Sequence, residues 1–480
     1  MLIRRLQPPR IDFGALRQEL ALPADFPPEV REEARAAASR APTGYADCTD
    51  LPFVTVDPPG SRDLDQALCL ETRADGSFLV RYAIADVAFF VDPDGAVAAE
   101  SWRRGQTVYL PDGNTPLHPV ALSEGAASLL PDVTRPAVVW TMAVDAAGAV
   151  TDFQLARALV RSRARYDYAG VQAAADAGTL PAPLRPLPAL GRALVDAARG
   201  RGAISLPTPE QELVADRDTW RLTLRGALPV EEYNAQVSLL TGAVAAQIML
   251  TGGVGLLRTM PAPPAAAVRR LRTAAAALRI DWPDGAGVGA VVAAADPARP
   301  RGAAFLDHAA ELLRGAGYTA FDGAVPPEVG HAGVGSAYAH VTAPLRRLAD
   351  RFATEVCLAL SAGAPVPEWA RAALPRLPAV MGETGRRTGA AERAAVDLAE
   401  ATVLRPRVGE LFEATVVDVD EPGGGAAGGR GAPREPGGVV ALADPVVRAR
   451  CRGALPLGEQ TSVRLVTADP DRREVLFAAE

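Results

Sequence analysis

The run VTVDPPGSRDLDQAL, residues 54–68, places Asp57, Asp63 and Asp65 within nine positions, between two segments that read as strands. Phe53-Val54-Thr55-Val56 is β-prone and stops at Asp57-Pro58-Pro59-Gly60, a strong turn sequence. In extended backbone Asp63 and Asp65 point to the same side. Carboxylates held together repel unless a cation neutralises them, and hard oxygen ligands suit Mg²⁺ or Mn²⁺. The spacing also fits a solvated acidic turn, and spacing alone leaves both readings open. An EF-hand loop is excluded because the DxDxDG pattern and a closing glutamate are missing.

Working outward, Ala67–Glu71 and Ser77–Ile84 read as strands joined by Ala74-Asp75-Gly76, a hairpin signal. Upstream, ALRQEL and PPEVREEARAAASR read as two short helices between Phe13 and Arg40, the second starting after Asp25. A helix-turn-helix DNA reader is a minor alternative there. Downstream, helical and strand segments mix to about residue 400 without a repeat, which makes the fold class α+β with a mixed sheet and packed helices. The tail differs. Gly409–Asp420, Val439–Ala443, Gln460–Thr467 and Glu474–Ala478 read as strands, around a low-complexity loop at Glu421–Gly438. These four, with a fifth short strand expected in the same span, predict a small OB-type barrel, a common platform for single-stranded nucleic acid.

Composition bounds the function. The 480 residues are 49% hydrophobic and 22% charged, ordinary for a globular chain. Four cysteines, Cys48, Cys69, Cys357 and Cys451, lie far apart without a CxxC pair, against a disulfide scaffold or zinc ribbon. All 50 basic residues are arginine, so any charged phosphate contact must be a guanidinium. The net charge of −7 counts weakly against nucleic-acid binding. No apolar leader opens the chain, and the uncharged stretch Tyr233–Leu257 holds Asn234, Gln236 and four glycines, so a buried core helix is expected and a cytoplasmic location with it. His118, His308, His331 and His340 show no ligand or nucleophile–base spacing. Arg157, Arg161, Arg163 and Arg165 form a basic run that could line an RNA path, although such runs are usually a solvated face.

A second constellation is YAHVTAPLRRLADRF, residues 338–352. Thr342 can cap a helix whose first turn holds Pro344, with Leu345, Leu348, Phe352 and Val356 as a buried stripe. Arg346 and Arg347 then crowd the positive end of the helix dipole, a conflict that a bound phosphate would resolve. The alternative is an ion pair from Arg346 to Asp350.

At these motifs the chain resembles the ribonuclease II/R (RNB) family of processive 3′→5′ exoribonucleases, with an S1-type OB domain behind. YAIADVAFFV (residues 82–91) and Tyr109-Leu110-Pro111-Asp112-Gly113 also match, and the matched segments keep their order. The resemblance implies a short helical region at 1–45, too short for the family's usual pair of cold-shock domains. It implies an RNB catalytic domain at 46–403 and an S1-type domain at 404–480. It implies that Asp57, Asp63 and Asp65, with Gln66, hold Mg²⁺ (or Mn²⁺), and that Asp65 and Arg346 carry catalysis. It implies RNA contacts from Tyr109, Leu206, Thr342, Arg346, Arg347 and Glu392. Single-stranded RNA would be hydrolysed to nucleoside 5′-monophosphates by a monomer. Two positions depart from the pattern. Gln66 stands where the family usually has a fourth aspartate, so metal affinity should fall. Leu206 replaces an aromatic clamp and forfeits base stacking.

Two other readings remain at this stage: an RNA-binding protein of the same fold with an impaired metal site, and a nucleotide-cofactor enzyme. The second rests on Asp284-Gly285-Ala286-Gly287-Val288-Gly289, where the spacing misses GxGxxG and no strand precedes. In the barrel only Phe412 and Phe477 are aromatic, so its grip on RNA is expected to rest on arginine.

Overall fold

The computed structural model describes residues 11–23, 25–216, 219–420 and 436–480. Most of the expected 421–438 loop therefore lies outside the described residues.

The β-branched and aromatic runs around the acidic motif pair into one six-stranded sheet. Its order is Ala46–Asp47, Val150–Tyr166, Phe53–Val56, Gln66–Thr72, Phe78–Ala85 and Thr134–Val144, and the last strand pairs back on Val150–Tyr166. The 17-residue strand makes that possible. It runs antiparallel to Thr134–Val144 over its first part and parallel to Phe53–Val56 from Ser162 to Tyr166. Period-two alternation then buries both faces. Val54, Val56, Leu68, Tyr82, Ile84 and Trp140 point into one core, beneath the helices Leu187–Gly200, Pro229–Gly252 and Leu348–Ser361. Phe53, Ala67, Cys69, Ala83 and Val139 point into a second, against Pro28–Ala38 and Ala96–Arg104. All four cysteines are free.

Most of the uncharged stretch lies in the Pro229–Gly252 helix, ended by Gly253 in left-handed conformation (φ 70°), and its end enters the Val254–Thr259 strand. By length and composition it could cross a membrane; in the fold it carries Val237, Val244, Ala245 and Met249 into the main core. Gly242 on it has a specific purpose. A Cβ there would lie 2.1 Å from the Tyr338 ring and 2.5 Å from the Ala339 carbonyl, so only glycine lets the 338–347 segment cross this close. Ala339 N donates to Gly242 O at 3.0 Å at the crossing.

The tail forms a closed five-stranded barrel in the order Leu411–Val419, Gly437–Ala443, Val446–Arg452, Glu474–Ala479 and Gln460–Asp469. Its two phenylalanines stack edge to face inside it, centroids 5.8 Å apart, and are not available to bases. Several barrel arginines are engaged with carboxylates: Arg448 with Asp307, Arg450 with Asp420, Arg464 with Glu480 and Arg473 with Glu19. The expected arginine grip is thus partly spent on holding the barrel to itself and its neighbours.

Glu400 stands where the Leu377–Leu404 helix meets the barrel. Its Oε1 accepts from Gln211 Nε2 at 2.8 Å and from the Arg448 backbone N–H at 3.1 Å. Burial pushes its carboxyl up to about 7, against these bonds. The folded protein therefore holds this proton more tightly than the unfolded chain, and the stabilisation it brings is complete below the usual carboxylate range and lost as pH rises through 7. Glu400→Gln keeps an acceptor and removes the charge. It should melt higher than wild type by a margin that grows between pH 4.5 and 7 and then levels, worth ~1–3 kcal/mol. Thermal melts across that pH range check this; a margin independent of pH would refute it.

Candidate active site

The acidic turn is held rigidly before any side chain acts. Asp57 N donates to Tyr166 O at 3.1 Å, continuing the parallel pairing of the strand before it. Arg165 Nη1 donates to Ser61 O at 2.8 Å and braces the loop between Asp57 and Asp63. Ser128 Oγ accepts from Leu64 N at 3.0 Å and donates to Arg62 O at 2.6 Å, while Leu64 itself is fully buried. Alternation about Leu64 leaves Asp63 and Asp65 on the other side.

The arginine turn docks onto this frame across some 280 residues of sequence. Asp65, 4% exposed, accepts from Leu345 N at 2.7 Å through Oδ1, and its Oδ2 lies 3.4 Å from Arg346 Nε. The turn's backbone is fixed from a third direction: Thr107 N donates to Arg346 O at 3.0 Å and Leu348 N to Gly105 O at 2.9 Å. Two residues on from Thr107, Tyr109 donates its hydroxyl to Asp63 Oδ2 at 2.6 Å. Asp63, Asp65, Arg346 and Tyr109 are thereby linked into one ring of contacts.

The helix after the turn begins later than expected. It spans Leu348–Ser361, so Thr342 does not cap it and Pro344 is not in its first turn. The reason is the fate of the backbone donors: Ala343 N is captured by Asp350 Oδ1 and Leu345 N by Asp65, both at 2.7 Å. Carboxylate acceptors compete with helical carbonyls and keep 342–347 as turn. The ion pair also shifts by one residue. Arg347, not Arg346, grips Asp350, with bonds of 2.9 and 2.8 Å. Arg347 is therefore placed as a brace, while Arg346 remains 44% exposed at its side chain and faces the carboxylates.

Electrostatics follow from burial. Desolvation, reinforced by Asp63, pushes Asp57 up to about 6 and Asp65 up to about 8, and the Arg346 charge opposes both. Asp57 Oδ2 is buried without a hydrogen-bond partner. That orphaned oxygen, with Asp63 close enough to raise the Asp57 pKa further, fits a hard cation, which would relieve the charge that burial penalises. As placed, though, no group of three His, Cys, Asp or Glu side chains among the described residues is close enough to form a coordination shell. Gln66 departs most from its expected part. Its Nε2 donates to Thr342 O at 2.6 Å and its Oε1 accepts from Tyr82 Oη at 2.6 Å, so both ends of the amide are engaged with protein.

The remaining expected residues are spread around this ring. Tyr109 is 42% exposed, with its ring open to solvent. Glu392 is exposed on Leu377–Leu404, the helix that packs Ala391 and Ala395 against Val108 and Leu110 beside Tyr109. Leu206 lies apart from the ring, in a loop packed against the cluster of Leu271, Phe305 and Leu306. The basic run of the 17-residue strand is also occupied: Arg157 pairs with Asp86 and Glu355, Arg161 bonds Thr134, and Arg163 bonds Thr49 O.

The sequence reading missed a polar wall opposite the carboxylates. Tyr82 Oη lies 2.8 Å from Ser238 Oγ, and Asn234 Nδ2 donates to Tyr168 Oη at 3.3 Å. Asn234 and Ser238 stand one helical turn apart on the Pro229–Gly252 helix, and burial first, then the nearby Asp57, raises the Tyr168 hydroxyl pKa. Two polar side chains at i and i+4 in the uncharged stretch 233–257 were the available signal.

Comparison with known proteins identifies both domains and the fold. Residues 45–358 match the RNB domain and residues 410–480 the RNase II-type exonuclease C-terminal S1 domain. Ribonuclease R of Escherichia coli K12 is 30% identical over 345 residues, covering 67% of this chain and 40% of its own length. Ribonuclease R of Vibrio parahaemolyticus is 34% identical over 194 residues, 39% of this chain and 22% of its own. The chain thus spans well under half the length of these relatives. Among solved structures, Mycoplasma genitalium RNase R in complex with ribose methylated single-stranded RNA superposes with a TM-score of 0.85 at 19% identity, covering 98% of this chain and 77% of that one. Yeast Ssd1, a pseudonuclease, gives 0.69 at 15% identity, over 90% of this chain and 52% of its own.

The orphaned Asp57 oxygen generates a direct test. Asp57→Asn removes a buried charge whose Oδ2 has no hydrogen bond and whose burial outweighs the nearby Arg346 charge, so in EDTA it should melt above wild type at pH 8, by ~1–2 kcal/mol. It should also lose most of the rise in Tm that Mn²⁺ gives the wild type. An Mn²⁺ shift untouched by the substitution would remove Asp57 from the cation site.

Proposed function

This chain belongs to the RNB family, and on that premise we propose that it is a processive 3′→5′ exoribonuclease that hydrolyses single-stranded RNA to nucleoside 5′-monophosphates. The observation that carries the reading is the meeting of Arg346 with Asp65 at 3.4 Å, beside the unpartnered Asp57 oxygen. A half-exposed guanidinium next to buried carboxylates is an arrangement for a phosphate whose charge rises in the transition state.

Asp57, Asp63 and Asp65 would hold a divalent cation, Mg²⁺ or Mn²⁺. When bound, it supplies charge neutralisation and Lewis acidity at the scissile phosphate. The chain's own residues do the rest. Arg346 donates to the non-bridging oxygens, and the Leu345 N–H keeps Asp65 oriented while it does so. The Tyr109 ring, tethered through its hydroxyl to Asp63, offers a face on which the 3′-terminal base stacks. Glu392, on the helix beside Tyr109, faces the terminal nucleotides, and the Thr342–Arg347 turn lines the strand's path. Leu206 contacts RNA further along, by packing rather than stacking. In this reading 46–403 is the catalytic domain, 404–480 an S1-type RNA-binding domain, 1–45 a helical lead, and the protein acts as a cytoplasmic monomer.

The test uses a 5′-labelled single-stranded RNA with Mg²⁺ or Mn²⁺. Wild type should shorten it from the 3′ end and release mononucleotides. Arg346→Ala should slow this by roughly 10²–10³-fold, and Asp65→Asn should abolish it while RNA is still retained on a gel. Wild-type protein that binds RNA but releases no mononucleotide at any metal level would sink the hydrolase reading in favour of an RNA-binding protein of the same fold.

A further inference from the structure

We propose that Gln66 is a positioning residue that clips the acidic strand to the arginine turn, and that it does not ligate the cation. The inference rests on the nuclease reading for its catalytic consequence, but its geometry stands without it. Nε2 donates to Thr342 O at 2.6 Å, and Oε1 accepts from Tyr82 Oη at 2.6 Å. Tyr82 is wholly buried, and its hydroxyl lies 2.8 Å from Ser238 Oγ on the Pro229–Gly252 helix. The amide therefore joins three elements: the Gln66–Thr72 strand, the 342–347 turn, and the long helix by way of Tyr82.

This bond is one of a pair. Asp65 takes the Leu345 N–H, and the Gln66 side-chain amide donates to Thr342 O, so adjacent residues at the start of the strand grip the turn three residues apart with opposite polarity. A carboxylate at 66 would supply the first kind of bond and never the second, because it has no donor to set against a carbonyl. An aspartate would also be one methylene shorter. Far from restoring a ligand, Gln66→Asp turns a closed contact into two facing acceptors. With the clip lost, the turn loses its second hold on the strand, and the Arg346 guanidinium is less well registered against the carboxylates. Substrate affinity, which draws on many other contacts, should change little.

Three variants test this. Gln66→Glu keeps length and the acceptor for Tyr82 and replaces the donor with a carboxylate oxygen. Gln66→Asp installs the shorter carboxylate. Tyr82→Phe leaves residue 66 intact and frees its carbonyl. Hydrogen–deuterium exchange of the 338–348 segment should be faster in all three, with exchange in the barrel unchanged as a folding control. In nuclease assays kcat should fall roughly tenfold, with KM near wild type. Mn²⁺ affinity, read by electron paramagnetic resonance without RNA, should be no tighter in Gln66→Glu or Gln66→Asp. Exchange of 338–348 at the wild-type rate in Gln66→Glu would overturn the clip. So would tighter Mn²⁺ binding with faster turnover in either carboxylate variant, the behaviour of a ligand. Absence of nuclease activity in wild type would overturn the functional reading alone, since the exchange result reports on the clip independently.

Discussion

A buried carboxylate is the constraint on which this architecture turns. Asp65 is almost completely removed from water, and burial raises its pKa to about 8. An ionised group in that position costs several kcal/mol unless its oxygens are satisfied. Part of that cost is offset from far away in sequence, by the Arg346 guanidinium and the Leu345 N–H. The sheet end and the arginine turn are thus joined at this spot by a buried hydrogen bond and an ion pair.

The rest of the fold can be understood as what delivers that turn. Gly242 opens a crossing on the Pro229–Gly252 helix where the Tyr338–Ala339 backbone passes in contact. Asp350 then pins the turn from the helix side through Ala343 N and Arg347. Gly105 and Thr107 pin it from the segment leading to Tyr109. The aromatic ring that would receive a base is therefore registered to the guanidinium by backbone hydrogen bonds, which tolerate less drift than packing between loops. Arg347 belongs to this scaffold. Its neighbour Arg346 is left half exposed because the carboxylate that could have claimed it is already taken.

The strands flanking the acidic motif, the two leading helices, the long apolar helix and the barrel were all legible as local patterns, and the structure contains each of them. The start of the Leu348–Ser361 helix was not. Thr342 and Pro344 form a good local capping pattern, but the backbone donors beside them go to Asp65 and Asp350 instead. The tail arginines show the same limit from the other side: residue type suggested that they grip RNA, and the fold engages Arg448, Arg450, Arg464 and Arg473 with carboxylates.

By itself the sequence determined which chemistry is available: three aspartates near one turn, no lysine, and arginines beside a turn-forming Thr-Ala-Pro. It determined this because residue type and short-range spacing are properties of the chain alone. Only tertiary structure decided which arginine faces the carboxylates and which is spent on Asp350. It alone set the Gln66 amide against Thr342 and Tyr82, and put Asn234, Ser238 and Tyr168 at the site. The physical reason is that a hydrogen bond is assigned to whichever partner is near and desolvated with it. For these groups the partner lies up to some 280 residues away along the chain.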